Sequence, residues 1–209
     1  MPRKRLIRTN EFPYHIVSRS NHKYWFNVPM SKVWKIFKYS YREANKKHPV
    51  ILHGAVCMNN HYHMVIETPD ANIDKFMFEF NSRFSRCIRI ESNHINRMLG
   101  KRYHWSIVDT GEYYHHVMKY VFLNPVKAGI INDVRQYPYS TLYEELNNDF
   151  SLQTKPYLDI ISPKFLKWLD LSHTKDEQDS INKGLRKGVF KPTYLPGKKV
   201  PPHFTNFKQ

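Results

Sequence analysis

His61 and His63 stand two residues apart in Asn60-His61-Tyr62-His63-Met64-Val65-Ile66-Glu67, an apolar run that follows an Asn59-Asn60 turn signal. Side chains alternate faces along a strand, so both imidazoles point one way, about 7 Å apart at Cα, and Tyr62 points the other way. Two imidazoles on one rigid face can close on a single cation. Twelve histidines are present, so the pair alone reads equally well as two incidental residues on a partly exposed strand. A second group lies further along. Between Tyr113 and Asn124, helical spacing gathers Tyr114, Val117, Met118 and Val121 into a buried sector. Tyr113, His116, Tyr120 and Asn124 form a polar stripe beside it. Tyr120 and Asn124, at i and i+4, are neighbours at about 5–6 Å between Cβ atoms.

Together these groups support one chemistry. Imidazoles and an amide oxygen could hold a divalent ion that polarises a phosphodiester while the phenol attacks phosphorus. Phenols ionise near pH 10, so tyrosine needs such help at neutral pH. A covalent phosphotyrosine keeps the energy of the broken ester, so rejoining needs no nucleotide. Consistently, none of the seven glycines builds a GxxxxGK[ST] phosphate loop.

The elements that must position these residues follow from the pattern. Tyr14 to Arg19 reads as a strand, with His15, Val17 and Arg19 on one face. Ser31 offers an N-cap to a helix carrying Val33, Ile36, Phe37, Tyr41 and Ala44. Strands follow over Val50 to Met58 and His61 to Thr68. Asn72 then caps a helix striped with Ile73, Phe76, Met77, Phe80, Phe84, Cys87 and Ile88. His104 to Val108 reads as a fourth strand. This order is that of an α+β, ferredoxin-like (RRM-like) antiparallel sheet backed by two helices, with one sheet face free. An added helix, capped by Asp109 with Glu112 three residues on, carries Tyr120 and ends near Asn124 because Pro125 follows. Residues 1–148 are read as one domain with a basic N-terminal arm. Residues 149–209 are read as a basic appendage, partly flexible, with a short helix over 176–187 and a Pro-rich end from Lys198 to Gln209.

A formal charge of +15 and a pI near 9.7 exceed what solubility requires and point to a polyanionic partner, nucleic acid first. Basic candidates for phosphate contact are Arg3, Lys4, Arg5 and Arg8 of the arm, Arg19 on the first strand, and Arg83 and Arg86 off the apolar stripe of the second helix. The longest apolar run is too short to span a bilayer, and the basic start lacks the apolar core of a signal peptide. Cys57 and Cys87 read as ordinary thiols in a reducing compartment. The expected location is the cytoplasm, in association with the nucleoid.

Asn60-His61-Tyr62-His63 resembles the His-hydrophobic-His (HUH) motif of one-tyrosine transposases. Tyr120-Val121-Phe122-Leu123-Asn124-Pro125-Val126-Lys127-Ala128-Gly129 resembles the Tyr-x-x-x-Asn-Pro-Val-Arg-Ala-Gly segment of their REP-associated tyrosine transposase branch. Tyr14 to Arg19, Glu67-Thr68-Pro69 and Tyr137-Pro138-Tyr139-Ser140-Thr141 match in the same order. The resemblance implies a site-specific single-stranded DNA endonuclease and strand transferase acting on hairpin-forming DNA. It implies Tyr120 as nucleophile, His61, His63 and Asn124 as ligands of Mg2+ or Mn2+, and a phosphate contact at Lys127. Three positions depart from the pattern: Asn59 stands for Pro, Ser20 for Gly and Lys127 for Arg. The last keeps charge but loses a bidentate fork. Rival readings remain. Tyr113 is the runner-up nucleophile, zinc with Cys57 is the rival metal, and His116 is read as solvated. A domesticated hairpin-binding protein with little catalysis is the rival function. The chain alone leaves open the oligomeric state, and whether the tyrosine acts on the histidines of its own chain or of another.

Overall fold

The computed structural model describes residues 5–95, 97–100, 102–108 and 111–193. Arg3, Lys4, the Asp109 cap and the Pro-rich end lie outside the described residues. Four strands, β1 (Tyr14–Arg19), β2 (Ile51–Cys57), β3 (His61–Glu67) and β4 (His104–Ile107), form one sheet in the order β2-β3-β1-β4. All three pairings are antiparallel. With α1 (Met30–Lys47) between β1 and β2, and α2 (Ile73–Glu91) between β3 and β4, this is the ferredoxin-like arrangement expected. The turn at Asn59 and Asn60 joins β2 to β3, which register Cys57 opposite Tyr62 and Val56 opposite His63.

The helices on one face arise from two amphipathic stripes. Phe37 of α1 meets Tyr62, Phe80 and Phe84 edge-on, with ring centroids 5.6, 5.2 and 6.3 Å away. Such T-shaped contacts set the positive edge of one ring against the negative face of the next. Tyr62, fully buried between the two histidines in sequence, thus anchors β3 from the helical face. The first helix begins one residue earlier than its expected cap: Pro29 occupies the N-cap and its carbonyl accepts from Lys32 and Val33. Proline there leaves no N–H to satisfy and presets the chain.

The other face of the sheet is not free. It is covered by α3 (Glu112–Phe122), whose Val117, Met118, Val121 and Phe122 are buried in one cluster with Val56 and Val65 of the sheet. The expectation of an open face fails because β2 and β3 are apolar on both sides, and such a face is driven out of water by about 25 cal/mol per Å2. Close approach is helped by Gly54, at the bulge in β2. A Cβ there would lie 2.9 Å from Met118 Cε and 3.1 Å from Phe122 Cζ. The N-cap of α3 is Gly111, at φ 93°; glycine accepts this conformation without strain. Leu123 joins α3 to the short α4 (Asn124–Lys127), with Pro125 in its first turn, where a missing N–H does no harm.

Residues 149–193 join the second cluster. They follow α5 (Thr141–Leu146) and include α6 (Pro163–Asp170) and α7 (Lys175–Gly184). Phe165, Trp168, Leu169 and Ile181 pack with α3. Both helices are short and start on side-chain caps, Ser162 accepting from the Phe165 N–H and Thr174 from Glu177, the latter a full capping box. Lys119, buried in α3, donates to the Trp168 carbonyl at 2.7 Å and to that of Leu171, and lies over the Trp168 ring. A cation at the last carbonyls of α6 complements the negative end of that helix. Among the described residues no helix is long and apolar enough to cross a membrane.

Candidate nuclease site

His61 and His63 point to the α3 face of the sheet, with ring centroids 5.2 Å apart. Hydrogen bonds decide which nitrogen of His61 is available. Asn60 donates its amide N–H to the Lys23 carbonyl at 2.7 Å, so its Oδ1 must be the atom 2.6 Å from His61 Nδ1. An amide oxygen only accepts, hence Nδ1 carries the proton and Nε2 keeps its lone pair. On β1, His15 supplies a partner that residue spacing does not reveal. Val17 registers opposite His63, and His15 Nε2 lies 2.9 Å from His63 Nδ1, with both rings buried and stacked. Its signal was present as a third histidine on the β1 face, but only strand pairing brings it to His63. Burial pushes the His15 imidazole down to about 3 and that of His61 to about 4, the latter with a further push from Arg19. His63 is held well below the usual range, first by burial, then by its imidazole neighbours. All three are therefore neutral near pH 7.

Tyr120 reaches this cluster from α3. Its ring meets His63 edge-on at 5.8 Å and His15 at 6.0 Å between centroids, so tyrosine and histidines of a single chain come together. The hydroxyl donates to Asn182 Oδ1 of α7 at 2.7 Å. Burial pushes the phenol up to about 12, while Arg19 and Arg186 pull it down. Asn124, one turn on, donates its amide N–H to the carbonyls of Tyr120 and Val121 at 2.8 and 3.3 Å. Since carbonyls only accept, the amide nitrogen is spent on the helix and the oxygen is the end turned away from it. Lys127 lies over the Tyr120 ring at 5.3 Å.

Two neutral imidazoles and one amide oxygen suit a divalent ion that retains water ligands. Cys57 cannot join them: it registers opposite Tyr62 and is buried in the cluster of the α1–α2 face. Glu67, on the histidine face but at the far end of β3, instead accepts from the Tyr157 hydroxyl at 2.6 Å. Tyr113 packs edge-on against Phe190. His116 is buried against Trp168 and His173 and is not the solvated residue expected, because the helices of residues 149–193 cover that side of α3.

A family model described as "Transposase IS200 like" matches residues 8–122, more than half of the chain. The chain belongs to the IS200-like transposase family. It is 25% identical over 117 residues to the REP-associated tyrosine transposase of Escherichia coli (strain K12), covering 54% of this chain and 67% of that protein. The solved structure of a REP-associated tyrosine transposase bound to a REP hairpin superposes with a TM-score of 0.61 at 15% identity, covering 78% of this chain and 94% of that one. That superposition shows a shared fold.

In this transposase the basic candidates fall into two groups. Arg8 forks onto Asp74, with contacts of 3.0 and 2.8 Å, and Arg83 pairs with Glu79 at 2.7 Å. Arg5, Arg19 and Arg86 are exposed, and Arg19 bears on His61, His63 and Tyr120 alike. Asn60 and His15, which set the imidazoles, lie inside segments that match the family, but no local spacing gives either one a role at the site.

Proposed function

We propose that this transposase cuts and rejoins single-stranded DNA at a hairpin through a 5′-phosphotyrosine on Tyr120. The observation that carries the reading is the approach of the Tyr120 ring to His63 at 5.8 Å, with Asn124 one turn away. His61, His63 and Asn124 are the residues that would hold Mg2+ or Mn2+, which when bound supplies Lewis-acid polarisation of a phosphodiester. The remaining work belongs to side chains. Asn60 and His15 keep the imidazoles oriented, and burial keeps them neutral. Burial among His15, His63 and Lys127 holds the phenol at one angle, which reduces the entropy lost on reaching the transition state. Arg19 and Arg186 favour the phenolate. The Tyr120 oxygen forms a bond to phosphorus, the phenolic proton passes to water, and the bond from phosphorus to the 3′ oxygen breaks, that oxygen taking a proton from water to leave a 3′-hydroxyl. Attack by a second 3′-hydroxyl on the phosphotyrosine restores the phenol and joins the strands. The DNA partner is proposed by analogy with the relative bound to a REP hairpin. Contacts from Arg3, Lys4, Arg5, Arg8, Arg19, Arg83, Arg86 and Lys127, and the division at residues 148 and 149, belong to the same proposal.

The test is incubation with hairpin oligonucleotides and Mn2+, followed by denaturing electrophoresis. The parent should form a covalent adduct and Tyr120→Phe none; an adduct of equal yield on the variant removes Tyr120 from its role. One observation favours a second reading, hairpin binding with little catalysis: the hydroxyl is tied to Asn182 and held protonated to about pH 12. Tight binding with no adduct at any pH up to about 9 would select it.

A further inference from the structure

A groove of about 1250 Å3 runs between α2 and the segment entering β4. Arg86, Arg89, Arg97, Arg102 and Arg186 line it, and all five are exposed. Three arginines elsewhere are neutralised, Arg8 by Asp74, Arg83 by Glu79, and Arg135 by Asp133 and Asp170. Among the described residues, Arg86, Arg89, Arg97 and Arg186 make no ion pair. The carboxylate in the lining, Asp74, is already paired with Arg8; like charges gathered without further counter-charges repel, and a polyanion relieves that repulsion. The floor between them is apolar, with Met77, Phe78, Leu99 and Trp105, and Phe78 is 74% exposed. A duplex keeps its base faces stacked inside and offers such a floor nothing, whereas an unpaired strand presents phosphates and base faces together. The groove also leads to the nucleophile. Asn182 of α7 holds the Tyr120 hydroxyl at 2.7 Å, and the chain leaving the same helix contributes Leu185 and Arg186 to the groove wall.

We propose that this groove is the track for the single-stranded flank of the DNA, its phosphates held by Arg86, Arg89, Arg97 and Arg102, with Arg186 passing the strand to Tyr120. The inference rests on the function proposed above and adds the strand's path. Arg86 becomes one of a set, and Arg83, paired with Glu79 and lying against Tyr39, falls outside it.

The experiment measures binding alone, by fluorescence anisotropy without divalent metal, on a Tyr120→Phe background so that no strand is cut. One oligonucleotide is a hairpin with a single-stranded flank, the other the same hairpin blunt-ended. Arg89→Glu combined with Arg97→Glu should weaken the flanked hairpin about tenfold or more and lower its salt slope by about 1 for each phosphate no longer held. Affinity for the blunt hairpin should stay unchanged. Lys35→Glu combined with Lys46→Glu, an equal reversal on α1, should move neither, which controls for net charge. Equal weakening on both oligonucleotides, or on neither, overturns the track. Tighter binding of the same flank made of RNA overturns the assignment to DNA. If the parent binds neither hairpin, the proposed function fails; if it binds both and the reversals have no selective effect, only the track fails.

Discussion

At the scale of single residues, the site depends on which atom of each ring or amide is already engaged. Asn60 illustrates this. Its amide joins the Lys23 carbonyl to His61 Nδ1 and so leaves His61 Nε2 unprotonated. Partners of metal-binding histidines that set the tautomer typically account for about 10- to 100-fold in metal affinity. Asn60→Ala should therefore weaken Mn2+ binding by about that factor, read by calorimetric titration, while far-UV circular dichroism stays that of the parent. An unchanged affinity would remove Asn60 from the orienting role, or His61 from the ligand set. The pairing of His61 with His63 was legible in the sequence because strand alternation is strictly local. Asn60 was legible only as a turn residue, since its second role depends on the Lys23 carbonyl, brought near by the loop after β1. His15 was hidden for a similar reason: it lies 48 positions from its partner, and no local period connects them.

At the scale of elements, the two long helices and four strands follow their apolar stripes, whereas the short helices over residues 141–184 depend on caps and on surfaces offered by others. One such dependence is the link between α1 and α5. Glu144 is buried and accepts from Trp34 Nε1 at 2.9 Å and from Lys38 Nζ at 2.7 Å. Lys38, half-buried, also reaches Asp149 at 3.7 Å and the Ser151 hydroxyl at 2.8 Å, so removing Glu144 chiefly leaves Trp34 Nε1 without its acceptor, at about 1–3 kcal/mol. Glu144→Ala should lower the unfolding free energy read from urea titration by an amount in that range, and Lys38→Met combined with Glu144→Leu should recover much of it. If the single and double variants unfold alike, the pair contributes no coupling. The helix start at Met30 differs from the expected Ser31 cap because capping preference is a matter of about 1 kcal/mol, which chain direction at the neighbouring Pro29 overrides.

At the scale of the whole molecule, the second apolar face of the sheet and the positive charge lead to separate expectations. Burial under the second layer depresses the imidazoles of His53 and His173, to about 4 and about 3. The unfolded chain takes up these protons near pH 6.5 while the folded chain does not, so this stability is complete above that pH and is lost as pH falls toward 4. His53 alone would remove about 2 kcal/mol at pH 5. Urea midpoints should fall between pH 7.5 and 5, and fall less in His53→Gln; a midpoint that does not move would mean these rings are not buried as neutral groups. Composition and local periodicity by themselves pointed to a polyanionic partner and determined the ferredoxin-like order and the candidate pairs His61 with His63 and Tyr120 with Asn124, because each rests on charge content or on spacings of two and four residues. Only the tertiary structure decided that the second sheet face is covered, that His15 backs His63, that Asn182 holds the Tyr120 hydroxyl, and that unpaired arginines gather along one groove. These are contacts between distant segments, set by which apolar surfaces close on one another, and no local pattern encodes them.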